Sequence, residues 1–482
     1  FKQKTAYEIL SGLVGSEMCI RDRIYTKCLS QGSYYIECNK EVAIIDPIRE
    51  VETYVEKAKK SGSKIKYIFE THIHADFISG HLNLAKKTGA KIIYGPKSET
   101  TFNKTIASDY EKFKLGNSII VAIHTPGHTI ESTTYLLKDT NGKDHAIFTG
   151  DTLFLGDVGR PDLSQISDLD NKDLASMLYD SLRNKIMILN DDVIVYPGHG
   201  QGTSCGKDLS SETIGTLGDQ KKTNYALRDK MTKEEFVKEV LNGLLDPPKY
   251  FPSNVELNKN GYLESQIILK ESLNALDANK VEELIKEVIL LDVRNENDFA
   301  ESHIPGSIFI GLDGRFAPWV GELLEDIKKP IILLAPKGRE EEAITRLSRV
   351  GFDNIKGYLK GGIKSWIELK KQTNSIENIK AQDFMSLNSK FDINILDVRS
   401  QNEYLSGSVD GSLNIPLINL TDNLDKLNSN KRSYIYCKGG YRSMIASSIL
   451  NSKGINDITN IIGGYDSISL CLSLIHISEP TR

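Results

Sequence analysis

Histidine and aspartate residues closely follow four separate apolar runs of the sequence. They are His72, His74 and Asp76 after "IKYIFE", His128 after "IIVAI", Asp151 in "HAIFTGD" and His199 in "DVIVYPGHG". Imidazole nitrogens and carboxylate oxygens are ligands of zinc and of first-row transition metals. Because strand ends meet at one edge of a sheet, side chains far apart in sequence can share a site there. The pattern therefore predicts a metal site, with His72 and His74 on the same side of an extended segment.

Four motifs, "THIHAD", "PGHT", "FTGD" and "PGHG", stand in the order found in the metallo-β-lactamase fold family, which this part of the chain resembles. The resemblance implies an αββα sandwich over residues 24–261, with the metal between the sheet ends. His81 and His124 lie outside these motifs, and we interpret them as solvated or core histidines.

The residue at position 77 distinguishes two kinds of site within this family, one that binds two metal ions and one that binds a single ion. The glyoxalase II thioesterases resemble the sequence but place a histidine at this position to bind a second metal. A phenyl ring cannot coordinate a cation, so His72, His128 and Asp151 remain as the ligands of one ion. Two histidines and one carboxylate are the set expected of non-haem Fe(II) oxygenases. We expect one Fe(II) in this domain, with zinc as the alternative.

Four further residues are expected near this ion. Asp76 becomes a hydrogen-bonding group of the catalytic site, and His74 either binds the metal or orients water, the role that we favour. His199 is expected to act in the same way as His74. Cys205 lies at the site edge, where it either traps persulfide sulfur or, as we favour, is a buried inert thiol.

The stretch "FTGDTLFLGDVGRPDL" is similar to the persulfide dioxygenase branch of this fold. That branch uses dioxygen to oxidise a low-molecular-weight thiol persulfide, of glutathione or coenzyme A type, to sulfite. By position, Arg160 and Thr129 would contact the thiol carrier, and Tyr196 is a weaker candidate. The Arg160 guanidinium can pair with a carboxylate or phosphate of the carrier, or form a structural salt bridge that orders the loop.

The C-terminal half contains an internal repeat. "LLDVRNENDFAESHIPGSIFI" from Leu290 aligns with "ILDVRSQNEYLSGSVDGSLNI" from Ile395. Each copy alternates short apolar strands with helical stretches, which predicts doubly wound parallel sheets over residues 262–372 and 376–471. Leu244–Tyr262 is rich in Pro, Asn and Gly and is predicted to be the linker before them.

In the second copy, "SYIYCKGGYRS" places Cys437 between a strand and a helix. Backbone N–H groups and the helix dipole stabilise a thiolate at such a position. The loop resembles the rhodanese sulfurtransferase family, which implies that Cys437 accepts sulfane sulfur. Lys438 adds positive potential for an anionic donor, and Arg442 either contacts the donor or folds back to fix the loop. The first copy has Ala335 at this position, so we expect a scaffolding or docking role without sulfur transfer.

Both ends of the sequence look foreign. "LVGSEMCIRD" and "LSLIHISEPTR" can be written as DNA sequences of which one contains the reverse complement of the other. They resemble translated sequencing-adapter DNA, so residues 1–23 and 472–482 are interpreted as non-native tails. We therefore expect the natural C-terminus to be missing and the second copy to lack the helix after its glycine pair.

The composition points to a cytoplasmic enzyme. Scattered cysteines, a net charge of -5 and the lack of a long apolar run predict no disulfide framework, no nucleic-acid partner and no membrane span. The expected partners are a thiol persulfide, dioxygen and sulfite or thiosulfate, with a homo-oligomer left open.

The whole chain thus resembles persulfide dioxygenases fused to two rhodanese domains. Two alternatives stay open: a glyoxalase II-like thiolester hydrolase, and a non-catalytic sulfur-relay protein.

Overall fold

The computed structural model describes residues 20–163, 169–207, 209–244, 246–324, 326–387, 393–428 and 431–478. The chain divides into an N-terminal unit, up to Ser265 with Ser348–Gly351, and a C-terminal unit, Gln266–Leu347 with the residues from Phe352 onward. None of the described helices combines the length and the apolar character that a bilayer span needs.

The N-terminal unit contains two six-stranded sheets. The first sheet has the order β1 (Ile20–Thr26), β2 (Gln31–Cys38), β3 (Glu41–Ile45), β4 (Lys64–Phe69), β5 (Lys91–Tyr94) and β6 (Thr105–Ile106). The second sheet, also in this order, contains β7 (Lys112–Leu115), β8 (Ser118–His124), β9 (Thr133–Lys138), β10 (Asp144–Gly150), β11 (Ile194–Pro197) and β12 (Gly215–Thr216). The helices are α1 (Glu52–Ser61), α2 (His81–Thr88), α3 (Asn171–Ser181), α4 (Leu217–Thr223), α5 (Lys233–Leu241) and α6 (Phe251–Asn260).

The two sheets pack face to face through alternating apolar side chains. Phe69 of β4 packs on Tyr135 of β9, with ring centroids 4.6 Å apart, inside a core to which both sheets contribute. Separate apolar clusters join α1 and α2 to the outer face of the first sheet, and α3 and α5 to that of the second. This is the αββα sandwich that the family resemblance implied, and the prediction is confirmed.

The C-terminal unit contains two five-stranded parallel sheets. The first has β13 (Ala275–Leu276), β14 (Ile289–Asp292), β15 (Ile308–Phe309), β16 (Ile331–Leu334) and β17 (Ile355–Leu359), in the order β13-β17-β16-β14-β15. The second has β18 (Glu377–Lys380), β19 (Asn394–Asp397), β20 (Leu413–Asn414), β21 (Ser433–Tyr436) and β22 (Ile458–Ile462), in the order β18-β22-β21-β19-β20. The helices are α7 (Ser265–Ser272), α8 (Ala278–Leu284), α9 (Glu296–Glu301), α10 (Phe316–Leu323), α11 (Glu340–Ser348), α12 (Gly362–Glu368), α13 (Ala381–Leu387), α14 (Gln401–Leu405), α15 (Tyr441–Ser452) and α16 (Gly464–Ser478).

The repeated sequence gives the same strand order and the same buried ion pair in both sheets. Arg294 makes a bidentate pair with Asp292, and Arg399 does the same with Asp397; in each pair the shortest contact is 2.6 Å. The guanidinium then reaches a backbone carbonyl eight residues further on in each copy. The prediction of two doubly wound parallel domains is confirmed.

Three details differ from the sequence-based expectations. The predicted linker contains helix α6, which Pro252 permits because proline fits the first turn of a helix. The glycine pair of the second copy is followed by α16, so the expectation of a missing helix was wrong; buried Ile468 packs it against the sheet. Residues Ile20–Arg23, interpreted as part of a tail, pair with β2 through backbone bonds that do not depend on side-chain type. The interpretation that these residues are non-native stays a prediction.

Candidate functional site

Strand ends of both sheets position the predicted metal ligands. His72 follows β4, His128 follows β8 and Asp151 directly follows β10. One nitrogen or oxygen atom of each lies within 4.8 Å of the others, and all three side chains are about 2% exposed or less. His128 Nε2 is 3.5 Å from Asp151 Oδ2, and the rings of His72 and His128 are nearly perpendicular at 4.9 Å. The structure thus brings the three residues together in one buried cluster.

Hydrogen bonds orient both imidazoles of this cluster. The backbone carbonyl of Arg160 accepts from His128 Nδ1 at 2.8 Å, and Nε2 of the same ring faces Asp151. Thr71 donates its hydroxyl to Asp46 at 2.8 Å, so its oxygen is available to accept from His72 Nδ1 at 2.9 Å. Such bonds fix the tautomer and the ring orientation of metal-binding histidines.

The cluster fits a single divalent cation. Among the described residues, both carboxylate oxygens of Asp151 are buried without a hydrogen-bond partner. Burial, together with the nearby His74 and His128 rings, lowers the pKa of His72 well below its usual value, so the imidazole is neutral. A side chain at Gly198 would put its Cβ 2.6 Å from Asp151 Oδ1, so this glycine keeps the space beside the carboxylate. A neutral imidazole and a buried carboxylate that accepts no hydrogen bond are what a metal ion requires.

Asp76 and His199 form the adjoining side of the site. His199 Nε2 lies 3.3 Å from Asp76 Oδ2 and 3.6 Å from Asp151 Oδ1, so the ring lies between the two carboxylates. Cys205 belongs to the same buried group, within 4.8 Å of Asp76 and His199. Burial and the carboxylates of Asp76 and Asp151 raise the pKa of the Cys205 thiol well above its usual value, so it is protonated.

His74 faces two other carboxylates. Its Nε2 is 3.2 Å from Asp46 Oδ1 and 3.4 Å from Glu70 Oε2. Burial alone lowers the pKa of His74, but the nearby carboxylates of Asp46 and Glu70 outweigh it and raise the pKa well above its usual value. A protonated imidazole does not bind a metal through that nitrogen, and the role of His74 stays a prediction.

Phe77 stands at the position where the family resemblance implies a histidine ligand of a second metal. The side chain is 1% exposed, and its ring lies 4.4 Å from the ring of His74 at an angle of 38°. The phenyl ring therefore covers the imidazole with an apolar face. It offers no ligand atom to a cation beside Asp76 or His199. The neighbouring His81 is also fully buried, as the core interpretation expects, and among the described residues neither ring nitrogen has a hydrogen-bond partner. His124 is partly buried and bonds the carbonyl of Ile130 through Nε2.

The predicted carrier-binding residues make contacts within the fold. Arg160 makes two 2.6 Å bonds with Asp162, the structural pair weighed as an alternative in the sequence analysis. Thr129 bonds Ser132 at 2.8 Å, and Tyr196 stacks on Phe148 in the core between the sheets, 5.1 Å away at 12°. The pair with Asp162 uses Nε and Nη2 of the Arg160 guanidinium, and Nη1 donates to the Ser204 carbonyl at 3.4 Å.

Helix α6 holds the loop that carries Asp76 and Phe77. The Asn258 amide donates to the carbonyls of His74 and Phe77, each at 2.8 Å, and accepts from the Ser79 N–H at 3.0 Å. Tyr250 donates its hydroxyl to the Asp76 carbonyl at 3.1 Å. Sequence analysis missed both side chains, because α6 contains no metal-ligand motif and its Pro and Asn content resembles a linker.

A second candidate site lies in the second repeat, between β21 and α15. Cys437 is buried, and its sulfur accepts a bond from the Gly440 N–H at 3.1 Å. Gly440 has φ of 107°, a conformation that glycine adopts readily. Lys438 is exposed beside this loop. Arg442 makes two 2.7 Å bonds with Glu403, so it folds back onto the repeat, as one of the two predictions for it stated.

Comparisons with known proteins agree with this division. Residues 27–199 match the metallo-beta-lactamase superfamily, and residues 274–369 and 380–471 each match the rhodanese-like domain. The mitochondrial persulfide dioxygenase ETHE1 of Homo sapiens is 29% identical over 214 residues, which cover 44% of this chain and 74% of that protein. A probable hydroxyacylglutathione hydrolase of Schizosaccharomyces pombe is 29% identical over 255 residues, 48% of this chain and 93% of that protein. The crystal structure of a metallo-beta-lactamase from Staphylococcus aureus has a TM-score of 0.63 at 31% identity, and the match covers 72% of this chain and 99% of that one.

Proposed function

Because the chain belongs to the metallo-beta-lactamase superfamily and carries two rhodanese-like domains, we propose that it oxidises a thiol persulfide and also transfers sulfane sulfur. In the first reaction a persulfide RSSH, dioxygen and water would give the thiol RSH, sulfite and two protons. The carrier thiol is proposed to be of glutathione or coenzyme A type. Similarity to both a persulfide dioxygenase and a hydroxyacylglutathione hydrolase is compatible with this chemistry.

One observation carries the dioxygenase proposal. The buried cluster consists of His72, His128 and Asp151, and Phe77 stands where the resemblance to dinuclear members of the family implies a histidine. Two imidazoles and one carboxylate with the remaining positions open are the set that non-haem Fe(II) oxygenases use. We therefore propose one Fe(II), with zinc as the alternative cation.

The side chains of the chain itself would prepare this reaction. The three ligands would hold the ion, and a bound Fe(II) would supply the open positions and the redox chemistry that dioxygen requires. Asp76 and His199 would accept or return protons released as sulfite forms, since they lie beside Asp151 and away from bulk water. Phe77 would offer no ligand atom to a second cation on this side of the site.

Sulfur transfer is proposed for Cys437. Its thiolate would attack the outer sulfur of thiosulfate, the S–S bond would break, and sulfite would leave with the bonding electron pair. An acceptor thiolate or cyanide would then attack the outer sulfur of the Cys437 persulfide and release the Cys437 thiolate. With sulfite as the acceptor the same step forms thiosulfate. The direction in the cell remains part of the proposal.

Dioxygen uptake by iron-loaded protein tests the first activity. We expect rapid uptake with glutathione persulfide or coenzyme A persulfide, one sulfite per dioxygen, and loss of both in His128→Ala. Full iron occupancy without uptake from either persulfide would refute the dioxygenase proposal.

A thiolester hydrolase is the second candidate. The group of Asp76, His199 and Asp151 provides three of the ligands that a dinuclear site would use, and it lies beside the first cluster. Hydrolysis of a glutathione thiolester by zinc-loaded protein, at a rate above that of persulfide oxidation, would favour this alternative. A chain that binds no metal and acts through Cys437 alone would favour the sulfur-relay alternative.

The remaining expectations stand as part of this proposal. They are the domain limits 24–261, 262–372 and 376–471, the cytoplasmic location, the exchange of sulfite or thiosulfate between the two activities, and the carrier contacts of Arg160, Thr129 and Tyr196.

A further inference from the structure

Helix α15 is covered on more than one side. Every residue from Ser443 to Leu450 is buried, although a helix that packs on one sheet normally exposes one face to water. The additional cover comes from the first repeat, which belongs to the same C-terminal unit. Strand β15 of that repeat packs along α15. The helix that follows the Cys437 loop is therefore shared by both repeats.

Three residues on one face of α15 make the polar contacts with the first repeat. Tyr441 donates its hydroxyl to the Gly311 carbonyl at 2.7 Å, and Ser448 accepts from the Phe309 N–H at 3.0 Å. Asn451 lies further along the helix, 3.3 Å from His303 Nε2. The spacings of seven and three residues place the three side chains on the same face.

The first of these contacts lies next to the sulfur-binding loop. Tyr441 begins α15 and directly follows Gly440, whose N–H donates to Cys437 Sγ at 3.1 Å. The Tyr441 ring lies directly against Gly314 of the first repeat, since a Cβ at Gly314 would be 2.3 Å from the ring carbon that bears the hydroxyl. The first repeat thus fixes the residue adjacent to the amide that holds the sulfur.

We propose that the first repeat, which has Ala335 where the second has Cys437, positions the sulfur-binding loop through Tyr441. Tyr441 is a positioning residue, because it acts through Gly440 and does not itself contact the sulfur. The proposal rests on the proposed sulfur transfer at Cys437. It gives a positioning role to the repeat that has no thiol at the corresponding position.

Steady-state kinetics of the full chain test this proposal. With thiosulfate as donor and cyanide as acceptor, Tyr441→Phe should lower kcat about fivefold, the effect of one lost hydrogen bond, and leave KM for thiosulfate unchanged. KM should hold because Lys438, the proposed attraction for the donor, is untouched. Alkylation of Cys437 by iodoacetamide, followed on its own peptide by mass spectrometry, should slow by a similar factor. Tyr358→Phe in β17, which removes a hydroxyl outside this contact, is the matched control and should change neither rate.

Gly314→Ala perturbs the same contact from the first repeat, at a position 123 residues before Cys437. It should lower kcat and the alkylation rate, whereas adding it to Tyr441→Ala should cause little further loss, because the two changes disturb one contact. Unchanged kcat and alkylation in both single variants, or a lower melting temperature without a change in either rate, would overturn the proposal. If the unmodified chain transfers no sulfur, the proposed sulfurtransferase function fails, while the alkylation rates still decide whether Tyr441 positions the loop.

Discussion

Replacing Asn258 with alanine tests how the candidate metal site is held. The Asn258 side chain is 1% exposed and makes three hydrogen bonds, to the carbonyls of His74 and Phe77 and from the N–H of Ser79. Alanine cannot replace any of them. Because all three backbone groups remain in a buried loop, each loses its partner without gaining water, which is the costly way to lose a hydrogen bond.

The expected magnitude follows from these three bonds. At about 1 kcal/mol for each bond, Asn258→Ala should destabilise the loop by about 3 kcal/mol. Since about 1.4 kcal/mol corresponds to a tenfold change in an equilibrium constant, local opening should become roughly 100-fold more frequent. A looser loop should also weaken metal binding by about tenfold or more, as for other groups that orient ligands.

Hydrogen exchange followed by mass spectrometry measures this opening directly. Peptides that cover the Ser79 amide should exchange roughly 100-fold faster in Asn258→Ala. Tryptophan fluorescence is unsuitable because Trp319 and Trp366 both belong to the first repeat. Asn260→Ala, which removes an exposed bond to Glu256 from the same helix, is the control and should leave exchange unchanged. Less than a threefold acceleration in Asn258→Ala would refute the conclusion that α6 holds the loop.

Four further outcomes are expected. Asp151→Asn should lower retained iron more than about tenfold, measured after dialysis; full retention would remove this carboxylate from the ligand set. Phe77→His should allow a second metal to bind, seen as two equivalents in a titration, and a value of one would contradict the role given to Phe77. Cys437→Ser should abolish sulfur transfer to cyanide and leave dioxygen uptake intact, whereas residual transfer would point to another thiol. Arg442 lowers the pKa of Glu403 to about 2, so this pair stabilises the fold above about pH 4.5 and the gain is lost as the pH falls toward 2. Because the pair is partly exposed, Arg442→Gln should lower the free energy of unfolding in urea by about 1–2 kcal/mol at neutral pH and much less near pH 2; an equal loss at both would refute the assignment.

Much of the fold could be predicted from local patterns. The strands before His72, His128 and Asp151 are short apolar runs, and their ends meet at one edge because sheets align them. The aligned segments from Leu290 and Ile395 predicted two domains of the same kind, since a repeated sequence repeats its strand order. The helix after the second glycine pair was not predicted, because residues 472–482 were interpreted as a non-native tail. A segment can form a helix whatever its origin.

The sequence by itself determined the chemical types: two imidazoles and a carboxylate, which are groups able to bind a cation, a phenyl ring at position 77, and a thiol in only one of the two copies of a loop. These chemical types depend only on the identity and order of the residues, which are the same in the unfolded and the folded chain. Only the tertiary structure decided that Arg160 is paired with Asp162 and that the first repeat contacts Tyr441. It also decided that the predicted linker holds the loop from His74 to Ser79 through Asn258. The contacts of Asn258 and Tyr441 join residues far apart along the chain, and the energies of all three pairings depend on burial and distance, which no local pattern encodes.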